Sequence, residues 1–172
     1  MRLTRLLLPM LAAISFVASA EEGATAQKGE KDADRAVRYT ALLETDPLGG
    51  EASGMRSWLM QWVIDTPDYS VTACNVFGPV MEDDSAPNGP ELVSQQMFGN
   101  VSYQIKHPGT VDQLTLQLAG MESVLKAYSS ILAKNPKAHI AYFDNLLEKQ
   151  AKGTLKESLT PVILKNCGGT SA

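Results

Sequence analysis

Residues 110–134, TVDQLTLQLAGMESVLKAYSSILAK, carry the most regular apolar pattern in the chain. The apolar residues alternate three and four positions apart without a break: Val111, Leu114, Leu118, Met121, Leu125, Tyr128 and Leu132. This spacing places them on one side of an α-helix, as in a bundle or a coiled coil about three heptads long. Thr110 and Gln113 resemble a capping box, which predicts that the helix begins there. The segment therefore predicts a long helix whose apolar side is covered by other helices.

Two further helices are predicted on the C-terminal side. Pro136 interrupts the pattern and suits the first position of the next helix, which is expected to end at Gly153. Thr154 and Glu157 form a second capping box before the last helix, and a new start at Thr160-Pro161 is an alternative there. The apolar positions of these two helices are Ile140, Phe143, Leu146 and Leu147, then Leu155, Leu159, Val162 and Ile163.

Three helices are predicted on the N-terminal side, over residues 32–46, 51–65 and 91–106. In the third of them, the residues expected to face the core are Val93, Met97, Val101 and Ile105. Residues 68–80 fit either a strand or a short helix. Strand-like side chains stand there next to Ala73 and Cys74, which fit a short helix equally well. Six or seven helices with short links predict an all-α, single-domain bundle over residues 31–169. A regular solenoid is not expected, because no repeat of fixed period occurs.

The start of the chain has the three zones of a secretory signal peptide. Arg2 and Arg5 precede an apolar run over residues 6–17, and Ala18-Ser19-Ala20 supplies the small residues that a signal peptidase accepts. The run is shorter than the roughly 20 apolar residues of a membrane span, although an uncleaved anchor is the alternative. We therefore expect a signal peptide at residues 1–20, a mobile leader at residues 21–30, and export to the periplasm or the extracellular space.

The charge of the chain works against nucleic acid as a partner. Two of the 15 Lys and Arg residues and none of the 19 acidic residues lie in residues 1–20, so cleavage would change the formal charge from −4 to −6. A negative protein without a basic run has no electrostatic attraction for phosphate backbones or anionic membranes. We expect neither nucleic-acid binding nor a membrane span after signal cleavage.

The chain has two cysteines, Cys74 and Cys167. In an oxidising compartment, an even number of cysteines predicts disulfide pairing, here between the middle of the domain and its last helix. Two buried free thiols, or half of a metal site, are the alternatives. No metal or cofactor is predicted, because neither histidine lies at metal-ligand spacing from the other or near a cysteine.

Trp58 and Trp62 lie one helical turn apart, and we single them out together with Tyr103 as candidate ligand-binding residues. Large aromatic side chains supply apolar contact area with a defined geometry. The alternative is that the two tryptophans belong to the core.

No catalytic residue is predicted, although several patterns resemble parts of catalytic or metal sites. A catalytic role for His107 or His139 would require that the fold bring a carboxylate or a nucleophile close to the histidine. Ser123 and Lys126 match S-x-x-K, but the serine is inside a patterned helix and the partner motifs of that enzyme class are absent. The oxygen-rich loop over residues 82–91 lacks EF-hand spacing and is interpreted as a solvated acidic loop.

Three hypotheses about function follow. The first is a non-enzymatic exported protein that binds another exported protein, as an inhibitor, an immunity factor or an envelope accessory. The second is a carrier of a small apolar ligand, with a pocket between helices near Trp58, Trp62 and Tyr103. The third is a small hydrolase-type enzyme that uses His107 or His139.

Overall fold

In the computed structural model, which describes residues 29–81 and 86–167, six α-helices follow one another without a strand. They are α1 (Asp32–Thr45), α2 (Ala52–Asp65), α3 (Gly89–Lys106), α4 (Gln113–Lys134), α5 (Ala141–Ala151) and α6 (Leu155–Cys167), with a 3₁₀ turn at Gly78–Met81 before α3. The predicted all-α, single-domain bundle is confirmed. The predicted signal peptide and residues 21–28 of the predicted leader lie outside the described residues. None of the helices in the described ranges is long and apolar enough to cross a membrane.

Helices α3 and α4 form the centre of the bundle and pack unusually closely. A Cβ atom on Gly120 of α4 would lie only 2.6 Å from the backbone oxygen of Gln96 on α3. A Cβ atom on Gly99 of α3 would collide with the side chain of Ser123 on α4. Because small residues stand at this crossing, the two backbones approach closely, and the other four helices pack around the pair.

The apolar core has two parts. The first is formed mainly by α4, α5 and α6 and includes Met121, Leu125, Phe143, Leu159 and Ile163. The second lies between α1, α2 and α3 and includes Tyr39, Leu43, Met55, Leu59 and Phe98. Helix α3 contributes to both parts, since Leu92 belongs to the first and Phe98 to the second.

The predicted core-facing residues of α3 pack against the core or belong to it, but most of them are not fully buried. Of the four predicted residues, Val101 is buried, whereas Val93, Met97 and Ile105 are only partly buried. Helix α3 is covered on several sides, so its buried residues include polar ones: Ser94, Gln95, Gln96, Asn100 and Ser102. A central helix has no single apolar stripe, which is why apolar spacing alone did not identify its buried positions.

Several predicted helix boundaries also need correction. The N-cap of α4 is Asp112, whose side chain accepts a hydrogen bond from Thr115 N at 2.9 Å, so Thr110 does not cap this helix. Val111 precedes the helix and is 81 % exposed. Helix α5 begins at Ala141, so Pro136 lies in the preceding loop. Pro161 lies inside a continuous α6, and no new helix starts there.

The ambiguous residues 68–80 form neither a strand nor an α-helix. Residues 66–77, which we call the strap, are irregular and cross the bundle before the 3₁₀ turn. Side chains from four helices donate hydrogen bonds to strap carbonyls: Gln104 to Ser70 at 2.9 Å, Gln117 to Thr72 at 2.9 Å, Tyr142 to Val76 at 2.6 Å, and Asn166 to Asn75. These donors replace the backbone partners that a strand or a helix would have supplied.

The predicted disulfide is confirmed and fastens the strap to the end of the chain's last helix. Cys74 lies in the strap and Cys167 is the last residue of α6, with their Cα atoms 5.4 Å apart. The bond therefore joins two segments that are 93 residues apart in the sequence.

Candidate functional site

Trp58 and Trp62 form the centre of an aromatic surface on α1 and α2. Because they are four residues apart on α2, they project from the same side of the helix, and their rings stack with centroids 5.9 Å apart and planes 6° apart. Tyr39 of α1 meets Trp58 edge-on at 5.3 Å, and Tyr69 of the strap lies 5.8 Å from Trp62. We call Tyr39, Trp58, Trp62 and Tyr69, together with Arg35, the aromatic face.

Two arginines of α1 are fixed on this surface by one carboxylate. The guanidinium carbon of Arg35 lies 5.0 Å from the centre of the Trp58 ring, and that of Arg38 lies 4.8 Å from the Tyr39 ring. Glu30 accepts two hydrogen bonds of 2.8 Å from Arg38 and one of 3.4 Å from Arg35. The hydrogen bond from Arg38 to Glu30 raises the pKa of Arg38 above its ordinary value. Glu30 falls in the predicted leader, yet its side chain is 9 % exposed.

The aromatic face lies at the boundary between the core and solvent. Tyr39 is buried, whereas Trp58, Trp62 and Tyr69 are partly exposed. On the solvent side, exposed Gln61 donates a hydrogen bond of 2.8 Å to Asp65. The tryptophans therefore combine the two interpretations considered from the sequence, since each packs against the core and also presents part of its ring outside.

The third predicted site residue, Tyr103, has a different ring partner. Its ring stacks on His107 at the C-terminal end of α3, with centroids 4.1 Å apart and planes inclined by 30°. Within the described ranges, no ring contact joins Tyr103 to either tryptophan. The three residues proposed together from the sequence thus form two separate groups.

Comparison with known proteins adds no relative. No family model, no curated protein and no solved structure matches this chain. The function must therefore be inferred from the chemistry of the surfaces themselves.

His139 is paired with a carboxylate, but on an open surface. Its Nδ1 lies 3.1 Å from Asp144 Oδ1, and its side chain is 60 % exposed. Asp144 also accepts a hydrogen bond of 2.7 Å from the hydroxyl of buried Tyr128, and this hydroxyl accepts one from Ile140 N. Burial raises the pKa of Tyr128 to about 12, so this hydroxyl is protonated at neutral pH. The group joins the loop before α5 to α4 and α5, and no cleft encloses the histidine.

Ser123 and Lys126, the S-x-x-K pair, meet at one carboxylate of α1. Ser123 Oγ donates to Glu44 Oε1 at 2.7 Å and accepts from Gln95 Nε2 at 2.8 Å, while Lys126 Nζ lies 3.1 Å from Glu44 Oε2. The serine is 2 % exposed, so a substrate cannot approach its hydroxyl. These contacts hold α1 against α3 and α4.

Metal-ligating residues do not converge in the parts of the chain that the structure describes, where no group of three or more His, Cys, Asp or Glu side chains could hold an ion. Residues 82–85 of the acidic loop lie outside those parts. Asn88 and Glu91, the later members of that loop, lie at the beginning of α3.

A groove that the sequence analysis missed lies between the strap and α3. Its volume is about 300 Å³, and its lining includes Cys74, Asn75, Phe77, Val93, Gln96 and Met97. Phe77 is buried beneath it, whereas Val93 and Met97 are only partly buried on the α3 side. In the sequence, only the position of Val93 and Met97 on the same side of α3 could have indicated this groove. The strap, which forms the other wall, has no periodic pattern.

Two buried glutamines connect this groove with the strap. Gln96 Nε2 donates a hydrogen bond to Gln117 Oε1, and Gln117 Nε2 donates one of 2.9 Å to the carbonyl of Thr72. Gln117 is fully buried and Gln96 is 6 % exposed. We call this chain of hydrogen bonds, from Gln96 through Gln117 to Thr72, the amide relay.

Proposed function

We propose that this chain is a non-enzymatic exported protein that binds a partner protein through the aromatic face. The observation that carries the proposal is the stacked, partly exposed pair Trp58 and Trp62 with Arg35 held over it. Tryptophan, tyrosine and arginine are the residues that most often dominate the binding energy of protein interfaces.

The fixed geometry of the aromatic face supports the same proposal. Arg35 and Arg38 are held by Glu30, and the rings contact one another on both sides of Trp58. Side chains that are already ordered lose less conformational entropy when a partner binds. A partner with an apolar centre and hydrogen-bond acceptors near its edge would suit this surface, because the face offers rings surrounded by guanidinium groups.

Export is supported by the signal-like residues 1–20 and by the disulfide, which is the kind of cross-link that persists in oxidising compartments. The partner would then be another exported protein, in the periplasm or outside the cell. Inhibition, immunity or an accessory role in the envelope are the activities that such binding would serve.

The test is a site-specific photo-crosslinking experiment followed by affinity measurements. A photoreactive residue at exposed Gln61, next to the aromatic face, should trap a protein of the exported fraction, whereas the same residue at exposed Val111 should not. The purified partner should then bind Trp62→Ala at least about tenfold more weakly than wild type, as expected for a central interface tryptophan.

Leu164→Ala is the matched control, because Leu164 is an apolar residue of α6 that is 59 % exposed. Its affinity should equal that of wild type. Circular dichroism should verify that the Trp62→Ala variant retains its helices. Equal crosslinking at residues 61 and 111, or undiminished affinity of a folded Trp62→Ala variant, would contradict the proposal.

The second hypothesis, a carrier of a small apolar ligand, is favoured by a different observation. Tyr103, which was proposed for it together with the tryptophans, stacks on His107 instead, but the groove beside the strap is lined mainly by apolar side chains.

A further inference from the structure

We propose that the groove between the strap and α3 binds a small neutral phenol, whose ring packs on Phe77, Val93 and Met97 and whose hydroxyl donates a hydrogen bond to Gln96 Oε1. This site is distinct from the aromatic face and does not depend on the function proposed for that surface.

The size and the lining of the groove suit a small neutral molecule. The volume of about 300 Å³ is at the lower end of the range for small-molecule sites, which corresponds to a single substituted ring. None of the residues that line the groove in the described chain is charged. A charged ligand would lose hydration there without gaining an ion pair, so a neutral molecule is expected.

The direction of the amide relay is set by the carbonyl of Thr72. A backbone carbonyl can only accept hydrogen bonds, so the Thr72 carbonyl requires the NH₂ group of Gln117 to point towards it. The oxygen of Gln117 therefore faces Gln96 and accepts from its NH₂ group. This order leaves Oε1 of Gln96 at the free end of the relay.

The free oxygen of Gln96 is accessible from the groove. Within the described residues, Gln96 Oε1 has no hydrogen-bond partner, and it is not one of the side-chain atoms that are sealed from solvent without a partner. Gln96 lines the groove and is otherwise buried, so its accessible part faces the groove. The other polar side chain that lines the groove, Asn75, already accepts a hydrogen bond from Gly78 N through its Oδ1. Gln96 Oε1 is thus an acceptor without a partner in a mainly apolar lining, and a matching ligand presents one donor.

The lining of the groove favours an aromatic ring. Met97, Phe77 and the disulfide-bonded Cys74 are among the residues that line the groove. Thioether sulfur and aromatic rings make favourable contacts with a further ring. A ring that carries one hydroxyl satisfies the volume, the neutrality, the single donor and these contacts.

The experiment compares 4-propylphenol with 4-propylanisole, which has a similar shape but no hydrogen-bond donor. Binding to the oxidised full-length mature protein is measured at pH 7, where the phenol is neutral, by calorimetry and by NMR of the glutamine side-chain amides. We expect saturable binding of the phenol, about five- to tenfold tighter than that of the anisole, and a shift of the Gln96 side-chain amide signal.

Val93→Trp should fill the groove and reduce phenol affinity at least about tenfold, whereas Val111→Trp, the same substitution at an exposed position, should leave affinity unchanged. Absence of saturable binding would overturn the proposal. Equal affinity for the two ligands would overturn the role of Gln96, and undiminished binding by Val93→Trp would overturn the location. Because the ligand pair is tested in the wild-type protein, the result does not depend on whether a variant folds.

Discussion

At the scale of single residues, the most informative feature is the number of amide and hydroxyl side chains buried between α3 and α4. Gln95, Gln96, Gln117 and Ser123 are all at least nine-tenths buried. Apolar spacing predicted Met121, Leu125 and Tyr128 as buried, but it treats a glutamine as a surface residue. The sequence could therefore not identify the amide relay, because its partners come from α4 and the strap.

Gln117→Leu tests the relay. The substitution leaves the Thr72 carbonyl and the Gln96 amide without a buried partner, and such losses cost about 1–3 kcal/mol each. We expect a decrease of about 2–4 kcal/mol in the free energy of unfolding, measured by urea denaturation. Gln150→Leu, at an exposed position of α5, should change it by less than about 0.5 kcal/mol. Equal effects of the two substitutions would show that the relay does not stabilise the fold.

Tyr128 predicts a pH dependence of stability in alkaline solution. Its pKa is about 12 in the folded protein and about 10 in an unfolded chain, so the folded state holds this proton more tightly. The contribution of this pKa difference to the free energy of unfolding is fully present below pH 10 and is lost as the pH rises from 10 to 12. Urea denaturation at several pH values should show a steeper loss for wild type than for Tyr128→Phe. Parallel curves would contradict this assignment.

At the scale of elements, helices and the strap differed in how well they could be predicted. Helices α1 and α2 were located to within one residue at each end, because proline, glycine and apolar spacing agree there. The strap has no such pattern. Its conformation could not be predicted from its own residues, because its hydrogen-bond donors come from four helices that are distant in the sequence. Trp58 and Trp62 lie together on one surface, as their spacing indicates, but neither Tyr39, Tyr69 nor Glu30 was expected to join them.

Tyr142→Phe tests whether these side-chain donors hold the strap. Tyr142 donates a hydrogen bond of 2.6 Å to the carbonyl of Val76, and the substitution removes only that hydroxyl. We expect faster amide hydrogen exchange in residues 70–77 with unchanged exchange in α4. Tyr103→Phe is the control, because the Tyr103 ring stacks on His107 outside the strap. Unchanged exchange in the strap would mean that the other contacts suffice.

At the scale of the whole molecule, the disulfide is the one covalent cross-link, in addition to the backbone, between the N-terminal and C-terminal halves of the described bundle. Its position could be predicted because only one intramolecular pair exists. The central place of α3 and α4 could not be predicted. The small residues Gly99 and Gly120 allow the two helices to cross closely, but the sequence does not show which helices cross.

Cys167→Ser should lower the melting temperature under non-reducing conditions. Closure of so long a loop restricts the unfolded chain by about 4–5 kcal/mol in the chain-entropy model, and measured effects are often smaller. Wild type treated with a reductant should melt at the same lower temperature as the variant. Equal melting temperatures of oxidised wild type and the variant would contradict a stabilising role.

The separation of 93 residues between the two cysteines also fixes the order of events during biosynthesis. Ribosomes complete Cys74 long before Cys167, so the first thiol has no intramolecular partner until α6 has been made. With two cysteines in the chain, no scrambled intramolecular isomer can form, and oxidation needs no later correction by an isomerase. Oxidative folding of a single molecule therefore has one outcome, and it is reached only after synthesis of the last helix.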